Sequence, residues 1–88
     1  MKPLILNHTI QVASTWETVL GFPSRTKAIS MQCRDSQTDF LYRYRDQTGY
    51  WTVKSGQTRS IAADLDPNDL QVYCATQGAV IEIECSTQ

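Results

Sequence analysis

The stretch Leu70-Gln71-Val72-Tyr73-Cys74-Ala75-Thr76-Gln77-Gly78-Ala79-Val80-Ile81-Glu82-Ile83-Glu84-Cys85 decides the fold class. Leu70, Val72 and Cys74 fall on one phase of a two-residue alternation, and Ala79, Ile81, Ile83 and Cys85 on another, opposite Glu82 and Glu84. Side chains on a strand point alternately to opposite faces, so each run has one face for a core and one for solvent. Thr76-Gln77-Gly78 between them reads as a chain reversal that makes the two runs a closing hairpin.

The same period extends toward the N-terminus. Phe40, Tyr42 and Tyr44 share a face against Leu41, Arg43 and Arg45, and Asp46-Gln47-Thr48-Gly49 then supplies a hairpin turn into a strand Tyr50 to Lys54. Ser55-Gly56 marks the next turn, and Thr58 to Ala63 the next strand. Further upstream, Ile29, Met31 and Cys33 alternate with polar neighbours, as do Ile10 and Val12. Trp16 to Pro23 reads as a connecting excursion that Gly21 and Pro23 interrupt. No helical period is sustained, and Thr, Ile and Val, favoured in strands, supply 21 of the 88 residues.

About seven strands at 8–12-residue spacing point to an all-β domain, a small antiparallel sandwich, with a five-stranded oligonucleotide-binding-type barrel as the alternative. The expected boundaries are an N-terminal arm or edge segment over 1–9, one sandwich domain over 10–85 and a tail over 86–88. Ile29, Met31, Trp51, Val53, Ile61, Val72, Ile81 and Ile83 are the expected core. At 10.0 kDa the core is thin, and contacts with further copies would add apolar burial.

Charge narrows the function classes. Eight Lys plus Arg against nine Asp plus Glu give a net charge of −1, so the chain lacks the basic footprint of a nucleic-acid binder or an anionic-membrane binder. The start, Met1 to Asn7, has too short an apolar run for a secretion signal, and no segment reaches the ~18 apolar residues of a membrane helix. Cys33, Cys74 and Cys85 form no Cys-x-x-Cys pair and sit on core phases of strands, which points to buried free thiols made in a reducing compartment.

Sites of chemistry are sparse. His8 is the only histidine and lies near the N-terminal end; with three scattered thiols it makes neither a zinc set nor a convincing Cys–His pair. No phosphate loop, nucleophile elbow or His-Glu-x-x-His motif occurs, so neither enzyme activity nor a cofactor is expected. Asp64-Leu65-Asp66-Pro67-Asn68-Asp69 offers oxygen ligands but not the spacing of a calcium loop, and reads as a solvated turn anchored by Leu65 and Leu70. The densest chemistry is Tyr42, Tyr44, Tyr50 and Trp51 interleaved with Arg43, Arg45, Lys54 and Arg59. Such residues pack in cores, build protein interfaces or stack on sugars; stacking on single-stranded bases is a fourth use, opposed here by the acidic net charge.

The run Tyr50 to Arg59, with Ile61, Leu65, Leu70-Gln71-Val72 and Gly78-Ala79-Val80-Ile81-Glu82-Ile83, resembles the C-terminal half of small β-sandwich virion proteins of tailed bacteriophages, the capsid decoration or cement proteins. The resemblance covers about half of the chain. It implies a non-enzymatic protein of the outer capsid surface, made in the bacterial cytoplasm, that binds the phage major capsid protein as a homo-oligomer, a trimer, and reinforces the shell. Arg43, Arg45, Tyr50 and Arg59 are then the expected interface residues, with no nucleic-acid or membrane partner. A carbohydrate-binding module of a fibre tip, reading sugars with Tyr42, Tyr44 or Trp51, is the alternative.

Overall fold

A computed structural model describes residues 3–23 and 26–87. Its eight strands among these residues are β1 Leu4–Thr9, β2 Glu17–Thr18, β3 Thr26–Cys33, β4 Phe40–Tyr44, β5 Trp51–Val53, β6 Arg59–Leu65, β7 Leu70–Tyr73 and β8 Val80–Thr87. They form two four-stranded antiparallel sheets, ordered β1-β8-β3-β6 and β2-β7-β4-β5. The domain is therefore an all-β sandwich, with no helix among the described residues and so none able to cross a membrane.

The alternation read from the sequence builds the interior. Leu70, Val72, Cys74, Ala79, Ile81, Ile83 and Cys85 are all buried, with Ile29, Met31, Phe40, Tyr42 and Val53 packed among them. Ile10, Val19, Phe22 and Leu65 close the ends. Trp51 was expected in this core and is instead 54% exposed. It does sit on the inward phase, opposite Tyr42, but β5 is the edge strand of its sheet, with no further strand beside it to bury the ring. Ile61, also expected in the core, is half-buried against it from the edge strand β6.

The expected closing hairpin is not one. β7 and β8 belong to different sheets, so the reversal at Thr76-Gln77-Gly78 carries the chain across the sandwich. Gly78 adopts φ 87° there, a left-handed conformation that suits glycine, and its N–H donates to the Ile10 carbonyl at 2.9 Å. Of the seven connections only β4–β5 stays within a sheet, as the hairpin expected at Asp46 to Gly49.

Both expected ends of the domain shift outward. Leu4–Thr9, an arm or an edge segment in the sequence reading, is an edge strand along the whole of its pairing with β8, and Ser86 and Thr87 continue β8 rather than forming a tail. Met1, Lys2 and Gln88 lie outside the described residues. The strand expected at Ile10 and Val12 is absent: Ile10 plugs the core just past β1, while Val12 lies in an exposed bend. The excursion after it supplies the two-residue β2, paired with β7.

Candidate interaction face

The outer side of the β2-β7-β4-β5 sheet follows from its inner one. Phe40 and Tyr42 point into the core, so Leu41 and Arg43 point out; Leu70 and Val72 point in, so Gln71 and Tyr73 point out. Strand pairing sets Leu41 opposite Tyr73 and Arg43 opposite Gln71, where Arg43 Nε donates to Gln71 Oε1 at 2.8 Å. Glu17 pairs with Val72 and faces inward, which turns the preceding Trp16 outward over β7 and β4.

Trp16 is the centre of this face. Its ring lies 5.3 Å from that of Tyr73 and 6.1 Å from that of Tyr50, tilted by 51° and 52°. The Arg43 guanidinium sits 4.2 Å above it, within the range of a cation–π contact. Tyr50, 62% exposed, forms the rim beside β5. Trp, Tyr and Arg are the residue types that carry most binding energy in protein interfaces, and aromatic faces also stack on the C–H groups of sugars.

A second Trp–Arg stack has another role. Arg59 lies 4.3 Å over the Trp51 ring and donates from Nε to Tyr42 Oη at 3.1 Å, while Tyr42 meets Tyr44 edge-on at 6.2 Å. β5 and β6 are the edges of the two sheets, so this group bridges the open side of the sandwich. Burial raises the Tyr44 phenol above its ordinary range, the neighbouring Tyr42 adds to this, and Arg59 opposes it.

The expected interface residues are thus divided. Arg43 and Tyr50 join the outer face, while Arg59 turns inward to the sandwich edge. Arg45, at the end of β4, is exposed near Asp46 and Asp69, at 3.7 and 3.6 Å. Of the aromatics considered for sugars, Tyr42 is core and Trp51 is capped by Arg59. The sequence reading missed Trp16 and Tyr73. Tyr73 could have been found, since it stands on the outward phase between Val72 and Cys74; Trp16, in an irregular segment, had no periodic signal.

At the opposite opening, His8 on β1 and Glu17 on β2 join the sheets at 2.8 Å. The Glu17 carboxylate also accepts the N–H groups of Val12, at 2.8 Å, and Gln11, at 3.0 Å. Burial works to raise its pKa, but these N–H groups and His8 prevail and hold it below the usual carboxylate range. His8, within the segment read as an arm or an edge, is therefore fixed in a strand. The acidic loop is folded on itself, with Asp69 accepting the Asp66 N–H at 2.9 Å, and no group of three metal-ligating side chains gathers among the described residues. Cys74 and Cys85 are buried and Cys33 half-buried; burial raises the Cys33 and Cys85 thiols, which keeps them protonated near neutral pH.

Comparison with protein families, curated proteins and solved structures finds no match to this chain.

Proposed function

We propose that the chain is a non-enzymatic virion structural protein of a tailed bacteriophage, a cement protein that binds the major capsid protein lattice through the outer face of its β2-β7-β4-β5 sheet. The observation that carries the reading is the Trp16, Tyr50, Tyr73 and Arg43 cluster, held on a sheet whose other side is the core. Arg43 and Tyr73 stand on strands and Trp16 packs against both, so the cluster has little entropy left to lose on binding. Repetition over a shell then lets modest contacts reinforce each other.

The test is co-sedimentation with shells of the major capsid protein assembled without the chain, followed by their melting temperature. Bound chain and a raised shell melting temperature are expected, and both should be lost in Trp16→Ala/Arg43→Ala. Absence of binding by the folded wild-type chain overturns the reading.

The exposed Tyr50 ring and the half-buried rings of Trp16 and Tyr73, tilted against one another, also favour a second reading, a carbohydrate-binding module. Arg43 and Gln71 would supply polar contacts beside the stacking surface. Glycan-array binding by the wild type that disappears in Trp16→Ala, with no shell binding, selects it.

A further inference from the structure

The two sheets have four edges, β1 and β6 in one and β2 and β5 in the other. Unpaired edges invite pairing with another chain, and proteins blunt them with brevity, charge or irregularity. β2 has two residues and β5 three. β6 carries Arg59 and Asp64 and runs beside a register shift in β3. β1 has none of these protections: it spans six residues without Asp, Glu, Lys or Arg, and exposes Leu4 by 42% and Ile5 by 66%.

The backbone of β1 shows what this edge can accept. Just beyond the strand, Ile10 N–H donates to the Ala79 carbonyl at 2.8 Å and its own carbonyl accepts Gly78 N–H at 2.9 Å, so Ile10 faces β8. Hydrogen-bonding direction alternates along an antiparallel strand. Leu4, Leu6 and His8 therefore face β8 as well, while Ile5, Asn7 and Thr9 direct their N–H and C=O groups to the free side. One of those groups is already used, because Gln11 Nε2 donates to the Thr9 carbonyl at 3.2 Å.

We propose that β1 pairs antiparallel with β1 of a second copy, about a twofold axis at Leu6, joining two four-stranded sheets into one of eight strands. An axis at Asn7 would set the Ile5 N–H against the occupied Thr9 carbonyl. With the axis at Leu6, Ile5 exchanges both bonds with Asn7 of the partner copy, and Thr9 N–H meets the Pro3 carbonyl. Proline has no N–H, so nothing is directed at the occupied Thr9 carbonyl, and every free donor on the edge finds an acceptor. Leu6 then lies opposite its own copy and Ile5 opposite Asn7, each pair on one face. Lacking formal charge, the two strands meet without repulsion. The pairing does not rest on the capsid reading, and it makes a dimer where the resemblance implies a trimer.

Sedimentation equilibrium of the full chain over a wide concentration range tests it. The expected species is twice the 10.0 kDa chain mass. Asn7→Pro removes an outward N–H at an exposed position of the edge strand and should weaken the dimer at least about 100-fold while the circular dichroism spectrum and cooperative melting are kept. Ile5→Lys, an exposed site, serves as the second variant and should also weaken it. Under oxidation Leu6→Cys should give a covalent dimer, with Ile5→Cys and the wild type as controls that do not. A wild type monomeric throughout, a trimer, or a dimer unchanged in both folded edge variants overturns the proposal; cross-linking at position 5 but not 6 overturns the register. Shell binding is measured separately, so either proposal can fail alone.

Discussion

The outer faces of the two sheets are built from the same alternation and differ in what they leave available. On the β1-β8-β3-β6 sheet, polar side chains answer one another: Thr58 donates to Gln32, Gln32 and Arg34 donate to Glu82, and Ser30 bonds Ser60. Across the molecule, Tyr73, Tyr50 and Arg43 gather around Trp16, and the Tyr50 ring is turned to solvent. Polar groups that satisfy one another gain little by binding, whereas aromatic rings left partly open to solvent gain by being covered. Exposure alone therefore does not mark a site; unsatisfied chemistry does.

The strongest way to break the contrast is to remove the core on which both faces stand. Ile81→Asp places a carboxylate at a fully buried position of β8 and should cost more than about 4 kcal/mol, abolishing cooperative melting. Retained fold and mass in this variant would overturn the core assignment.

Next in size is the clasp between the sheets. Glu17→Gln weakens charge-assisted bonds to His8, Gln11 and Val12 and should lower stability by about 1 kcal/mol at pH 7. Its carboxyl pKa is lower in the folded than in the unfolded chain, so its stabilisation is present above the ordinary value of 4.5 and declines as pH falls through the folded value. Denaturant unfolding from pH 7 to pH 3 should show a shallower acid loss in Glu17→Gln than in the wild type.

Trp16→Ala sharpens the functional side of the comparison. It removes a half-buried ring and its contact with Arg43, lowering stability by about 1 kcal/mol in thermal unfolding while eliminating ligand or shell binding. Trp51→Ala, which breaks the other Trp–Arg stack, should also reduce stability but leave binding intact. The smallest effect is expected for Glu82→Gln on the polar face. Its melting temperature should barely move and its binding should equal that of the wild type, because surface ion pairs contribute little.

How much could be read without the fold varies element by element. β4, β7 and β8 were legible with their inward faces, because alternation over several residues leaves only one phase for the core. β1 reads only as an arm or an edge segment, since Leu4-Ile5-Leu6 has no alternation, and the two-residue β2 is too short to carry any period. At the candidate site, Arg43 and Tyr50 were legible as interface chemistry, but Trp16 was hidden in an irregular connection.

By itself, the sequence determined an all-β domain, most of its core side chains and the phase of its principal strands, because periodicity is local and each strand bears its own pattern. Which sheet each strand joins is set by the packing of the whole chain. Both sheets bury their apolar sides in one shared core, so the pattern of β7 would be the same beside β8 or across from it. That choice sent Trp51 to an edge and gathered Trp16, Tyr50, Tyr73 and Arg43 from four separate segments, because proximity across a sheet is fixed by pairing and not by distance along the chain.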